Sequence, residues 1–376
     1  MDIYLDNAAT TRTCPEAIEE MGRVLSLEYG NPASHHAKGR QANKILQTSR
    51  ETIAHALGSD IKDIYFTSGG TEANNWAITG CAHKLRHKGR HIVSTAIEHD
   101  SVLSPLEALR QQGYEITLVR PERSGIVTAQ NISDALRDDT ILVSVMLANN
   151  ETGAILPVDE IVKSVRTGSN ALIHVDAVHG FMKIPFTAKS MGADFVTISA
   201  HKIHGPKGVG ALYIKDKKSL SPIITGGAQQ SGLRGGTEPL HNIAGFAQAV
   251  RVQQLHMADT RNKMTGFQDY IRRELEILLP CAEILPAGLG DIMSISLPGY
   301  QGETIMNFLD YKNICVSRSS ACKNNARSHV LEAMGLSSKV IDGTIRVSFS
   351  RYNTDEEIRE FVKLLVFTKE NIFPKL

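Results

Sequence analysis

The stretch Phe195-Val196-Thr197-Ile198-Ser199-Ala200-His201-Lys202, running on through Gly205-Pro206-Lys207-Gly208 to Val209-Gly210-Ala211-Leu212-Tyr213-Ile214, decides how this chain folds. Two apolar runs of strand length flank a polar turn containing glycine and proline. Their separation is too short for a crossover helix, so this pair is expected to run antiparallel. Upstream the spacing differs. Apolar, β-rich runs at 64–67, 91–95, 116–119, 141–148 and 172–175 are mostly separated by helical patterns, such as 72–84, 101–111 and 158–165. Strands alternating with helices make a mostly parallel sheet covered on both faces. The prediction is an α/β domain whose mixed sheet is mostly parallel.

Beyond Gly236 the pattern changes. A long helical run covers 240–279, then strand 292–297, helix 303–310, a loop around 317–325, a further helix, strand 344–349 and a terminal helix follow. This order predicts a second, smaller α+β domain. A length of 376 residues agrees with two such units.

Bulk properties exclude several classes. The formal net charge is +1, so no global field favours nucleic acid or an anionic membrane. The first residues carry no basic stretch followed by an apolar run, and the longest apolar stretches have strand length. A cytoplasmic protein is expected. Five cysteines, Cys14, Cys81, Cys281, Cys315 and Cys322, include no C-x-x-C pair, so neither a disulfide framework nor a zinc knuckle is signalled. Four of them read as small buried hydrophobes. Cys322 differs: it lies in a polar loop with Arg318, Lys323 and Arg327 near it, and cations stabilise a thiolate.

Chemistry gathers at strand ends. Lys202 follows the run 195–199, where a lysine is costly unless paired or used covalently. Buried lysine amines form Schiff bases with carbonyl compounds, pyridoxal phosphate among them. Asp176 ends another apolar strand, suited to pairing with a pyridine nitrogen and also to capping a helix. Thr67-Ser68-Gly69-Gly70-Thr71-Glu72 follows a strand and opens a helix, leaving backbone N–H groups for a phosphate. His99 follows the strand 91–95 and can stack on a ring or move protons. Each motif alone is commonplace; together they come in order from the ends of strands of one sheet, where open α/β folds bind ligands. His201 and His204 are spaced H-x-x-H without a third ligand, and no metal is expected.

These residues resemble the cysteine desulfurases of the NifS/IscS branch, within the fold-type I pyridoxal-phosphate enzymes. The resemblance covers nearly the whole chain. It includes 4–11 (YLDNAATT), 30–34 (GNPAS), 68–72 (SGGTE), 98–99 (EH), 149–153 (NNETG), 174–177 (HVDA), 199–208 (SAHKIHGPKG), 234–237 (RGGT), 320–322 (SAC) and 345–348 (IRVS). It implies a homodimer of large-domain residues 13–260 and small-domain residues 1–12 with 261–376. The small domain would carry the cysteine loop.

It also implies roles. Lys202 bonds pyridoxal 5'-phosphate covalently and moves protons, Asp176 pairs with the ring nitrogen, and His99 stacks on the ring. Gly70, Thr71, Ser199 and His201 hold the phosphate, joined by Thr237 of a second subunit. Asn150 and His179 border the ring oxygen, Asn31 and Arg346 grip the substrate carboxylate, and Cys322 takes sulfur from L-cysteine as a persulfide. Rival readings on the same scaffold are a selenocysteine lyase, another β-eliminating lyase, or a non-catalytic regulatory protein.

Two departures stand out. His179 occupies a position where the family usually has glutamine; imidazole titrates near neutral pH, so an added pH dependence is expected. The loop from Ser320 to His329 is about two residues shorter than usual, which predicts restricted delivery to a distant acceptor. The tail ends soon after the terminal helix pattern, so an iron–sulfur scaffold is not the expected acceptor, whose identity stays open.

Overall fold

The computed structural model describes residues 2–318 and 327–371. Its central feature is a seven-stranded sheet in the order Ile64–Thr67, Gly210–Ile214, Phe195–Ser199, Leu172–Asp176, Thr140–Met146, His91–Thr95, Glu115–Val119. Gly210–Ile214 runs antiparallel to both neighbours, and all other pairings are parallel, as the short connection after Ser199 predicts. Consecutive residues of each strand face opposite sides. Val93, Val143, Val196 and Tyr213 enter one apolar core, while Ile92, Leu142, Phe195 and Leu212 enter the core on the other face. Apolar burial at both faces explains why these strands read as nearly unbroken apolar runs.

The sheet interior also holds a polar belt. His174 Nδ1 lies 2.8 Å from Ser144 Oγ and its Nε2 3.0 Å from Thr197 Oγ1, so three neighbouring strands are joined by one side chain. Burial lowers its pKa to about 3, which keeps the ring neutral.

The second core lies beside the first. An antiparallel sheet, ordered Ser317–Arg318, Thr344–Ser348, Ile292–Ser296, Glu283–Ile284, packs with the terminal helix Asp355–Asn371, and Ile3–Tyr4 pairs in parallel with Ile314–Cys315. Ile3 and Leu5 are buried in this core, which places the first strand with the C-terminal elements. The helix Leu240–Leu278 serves both cores. Leu240, Ile243, Phe246 and Val250 bury against the large sheet, and Met264, Phe267, Ile271 and Leu275 against the small one, each set at three- and four-residue spacing.

Two expectations need correction. Cys281 is exposed, not a buried hydrophobe, because it sits in the turn between the long helix and Glu283–Ile284; Cys14 and Cys81 are buried, and Cys315 is half-buried. The helix expected over 72–84 is three segments, Gly70–Asn75, a π-helical turn Trp76–Gly80 and Cys81–Leu85. Trp76 Nε1 donates to Ser221 O at 3.0 Å, and a Cβ on Gly80 would stand 2.7 Å from that same oxygen. The wider turn brings a bare backbone against the neighbouring loop, a position only glycine fills.

Candidate active site

The parallel strands end at one sheet edge, and a cavity of about 280 Å³ opens there. Lys202, Asp176, His99, His179, Asn150 and Arg346 line it, together with Gly70, Thr71 and His201. Nine of the predicted site residues therefore share one cavity.

Lys202 leaves the sheet on the single turn Ala200–Lys202. Its Nζ donates to Ala8 O at 2.5 Å and Ala9 O at 2.9 Å, so the N-terminal segment supplies acceptors the sequence did not announce. Two carbonyls favour the ammonium form. Burial opposes them, aided by the positive charges of Arg346 and Lys183, and brings the pKa down to about 7. The result is an amine available near neutral pH.

Asp176 is 5% exposed at the end of its strand. Its Oδ1 accepts from Val178 N at 2.9 Å, so it also caps the turn, and its Oδ2 accepts from Asn74 Nδ2 at 2.7 Å. Burial raises its pKa against those two hydrogen bonds. A cationic ring nitrogen beside it would restore the ionised form. Asn74 is itself held by Ser101 Oγ at 2.8 Å. Nothing in the primary sequence singled out Asn74; its place four residues after Gly70, in the helix that Gly70 opens, was the one available signal.

His99 caps the helix Asp100–Gln111, its Nδ1 accepting from Ser101 N at 3.0 Å. An acceptor at Nδ1 puts the proton of the neutral ring on Nε2. Burial lowers its pKa, and Asp176 works against that shift.

His179 behaves differently from the expectation of a neutral-range titration. It is buried, its Nδ1 has no hydrogen-bond partner, and burial together with the charges of Lys202, Lys183 and Arg346 puts its pKa well below the usual value. The ring stays neutral at physiological pH. His201 is likewise held neutral, its pKa lowered to about 3 by burial and then by Lys202.

Around Gly70 the chain leaves little room. A Cβ on Gly70 would lie 2.8 Å from Val178 Cγ2, and the Ser199 hydroxyl is buried with no partner of its own. Glu72 accepts from Ser68 N at 2.8 Å and binds Arg234 through both oxygens, at 2.9 and 3.0 Å. Arg234 thus fastens the segment ahead of Thr237 to the helix Gly70–Asn75.

Arg346 is 3% exposed on the central strand Thr344–Ser348. It donates to Asp6 Oδ1 at 2.9 Å and Asn150 O at 3.0 Å, and its Nε has no partner. Asn31 and Thr237 are exposed and do not line this cavity; Asn31 Oδ1 instead accepts from Ala33 N at 2.9 Å. Cys322 lies outside the described residues.

A half-buried amine, a buried carboxylate, an imidazole and an unpartnered hydroxyl beside a glycine suit a phosphorylated heterocyclic aldehyde, and pyridoxal phosphate fits this donor set. Comparison with known proteins agrees. Residues 3–361 match the family model described as aminotransferase class-V. A cysteine desulfurase IscS of Dictyoglomus turgidum is 38% identical, the alignment covering 100% of this chain and 95% of that protein. The solved structure of a NifS-like protein superposes with a TM-score of 0.92 at 36% identity, covering 98% of this chain and 99% of the other. That of SspA in complex with cysteine gives 0.82 at 31% identity, covering 94% and 100%. The chain belongs to the aminotransferase class-V family, in its cysteine desulfurase branch.

Proposed function

We propose that the protein is a pyridoxal-phosphate-dependent cysteine desulfurase, converting L-cysteine to L-alanine and passing the sulfur to Cys322 and then to an acceptor protein. The observation that carries this reading is the meeting of Lys202, Asp176 and His99 at one cavity. It is supported by relatives that bear the name and by a related structure that holds cysteine.

Gly70, Thr71, Ser199 and His201 would hold the phosphate, with Thr237 contributed by a second copy, and Asp176, His99, Asn150 and His179 would surround the ring. When bound, the cofactor supplies an electron sink that makes the substrate α-carbon acidic. Lys202, with a pKa near 7, is suited to take a proton there and return it. Asp176 would offer its charge to the ring nitrogen, and Asn74 keeps Asp176 in place. A neutral His179 would offer one ring N–H where an amide would otherwise donate, without adding a titration. Arg346 is held in position by Asp6 and the Asn150 carbonyl, and with Asn31 it would bind the substrate carboxylate. Cys322 Sγ attacks the substrate sulfur: an S–S bond forms, the Cβ–S bond breaks with its electron pair left on carbon, and a proton completes alanine. The domain limits, 13–260 against 1–12 with 261–376, the homodimer and a cytoplasmic setting belong to the same reading.

The test is direct. Wild type and Cys322→Ser are mixed with L-cysteine, and alanine and sulfide are measured. Alanine production that collapses in the variant supports the proposal. Unchanged turnover in Cys322→Ser would point to a β-eliminating lyase instead.

A further inference from the structure

Between the strand Gly210–Ile214 and the long helix, residues 222–228 are exposed, yet Gln230 just beyond them is buried at 5% exposure. Gln230 and Ser231 also adopt successive left-handed conformations, with φ of 47° and 57°. Side chains crowd the backbone there, so two such residues in a row persist only where their surroundings hold them.

The Gln230 side chain supplies that hold. Its Oε1 accepts from Phe66 N at 2.9 Å and from Arg50 Nη1 at 3.0 Å, and its Nε2 donates to Glu238 Oε1 at 3.2 Å. Ile64–Thr67 is an edge strand, and Phe66 finds in Gln230 the acceptor that a further strand would otherwise provide. Arg50 is fixed as well, stacked over the Phe66 ring and donating to Ile64 O. A second fastening follows four residues later, where Arg234 grips Glu72. Past both anchors, and before Leu240 opens the long helix, Thr237 stands exposed and away from its own chain's cavity.

We infer that Gln230 is a positioning residue: by plugging the sheet edge it sets residues 229–238 so that Thr237 is presented to the phosphate end of a second copy's site. The inference deepens the proposed function and rests on its assignment of Thr237 to the neighbouring subunit. Gln230 touches no cofactor, substrate or reacting atom. Its contribution is to fix in advance a segment that would otherwise lose freedom on binding.

The test separates phosphate recognition from general integrity. Full-length protein freed of cofactor is titrated by fluorescence with pyridoxal phosphate and, separately, with pyridoxal, which lacks the phosphate. Gln230→Ala should weaken pyridoxal phosphate binding by roughly tenfold, the scale of one hydrogen bond to a charged group, and leave pyridoxal binding unchanged. Thr237→Val should do the same, and the double variant should bind no more weakly than Thr237→Val alone. Gln230→Glu combined with Glu238→Gln keeps the acceptor for Phe66 and Arg50 and an amide–carboxylate hydrogen bond across the pair, and should retain most of the affinity, which keeps the inference falsifiable if Gln230→Ala folds poorly. A phosphate-selective loss in Thr237→Val with none in Gln230→Ala, or equal losses for both ligands in Gln230→Ala, overturns the positioning role. No phosphate-selective loss in Thr237→Val removes the assignment of Thr237 itself.

Discussion

Lys202 offers the sharpest test of the site's electrostatics, because opposing forces act on one nitrogen. Two carbonyls, Ala8 O and Ala9 O, stabilise the ammonium ion, while burial and then the charges of Arg346 and Lys183 destabilise it. The balance falls at a pKa of about 7, against 10.5 for an ordinary lysine. That difference corresponds to at most about 4.8 kcal/mol, since the residue is half-buried and cavity water screens part of it. At pH 7 about half of Lys202 is free amine, whereas an ordinary lysine is about 0.03% free. In cofactor-free protein Lys202 should therefore react with trinitrobenzenesulfonate well ahead of the other lysines, its rate following a single titration near pH 7. Peptide mass spectrometry reads the site, and Lys202→Ala identifies the signal. Arg346→Met then asks which cause dominates. Burial is the larger, so removing the guanidinium should raise the midpoint without restoring ordinary basicity. A wild-type midpoint above about 9 would refute the desolvation argument. Full recovery of ordinary basicity in Arg346→Met would show charge repulsion to be the ruling effect.

Two further outcomes follow from the same site. Asn74→Ala removes the 2.7 Å bond to Asp176 and leaves a buried carboxylate with one partner fewer, so pyridoxal phosphate should bind about tenfold more weakly in a spectroscopic titration, with an unaltered circular dichroism spectrum. His179→Gln should leave the shape of the activity–pH profile unchanged above pH ~6, because the native ring is already neutral there; a profile that moves by a unit in that range would show that His179 titrates after all.

Legibility in the sequence followed the range of the forces involved. Strands such as Phe195–Ser199 and the helix Leu240–Leu278 were readable because their burial imposes a local period on apolar residues. The residues at strand ends were readable for a related reason: a charged or polar group just past an apolar run needs an explanation. Asn74 was not readable, since an asparagine in a helix has many uses and its partner lies 102 residues away. Nor were the Ala8 and Ala9 carbonyls, because a backbone acceptor has no sequence signature. His179 was misjudged in its titration because the burial that depresses it, and after it the charges of Lys202, Lys183 and Arg346, come together only in three dimensions. Asn31 and Thr237 form a further class: their proposed roles need atoms one chain does not bring to its own cavity.

The contacts between the two cores explain why so much of the site is built from loops without predicted functions. Ser294 Oγ donates to Glu151 O at 2.7 Å, Ser328 Oγ to Glu151 Oε2 at 2.5 Å, and Arg346 to Asn150 O, all on the segment after Met146. His329 Nε2 bonds Glu98 O at 2.9 Å, the carbonyl immediately before His99. Glu98 in turn ties its loop to the neighbouring strand end, accepting from Thr95 Oγ1 at 2.7 Å and Met146 N at 2.9 Å. Ser294 and Arg346, on the small sheet, thus dock on the loop that carries Asn150 into the cavity, whereas Ser328 and His329 open a helix whose Val330 and Leu331 pack into the large core and brace the Asn150 and His99 loops from there. A shift of one core against the other would strain those hydrogen bonds before disturbing either apolar interior, since the interiors are packed separately. The placement of the small sheet and the position of the Asn150 loop are consequently coupled. Loop residues such as Glu151 and Ser328 belong to the function through the positions they enforce.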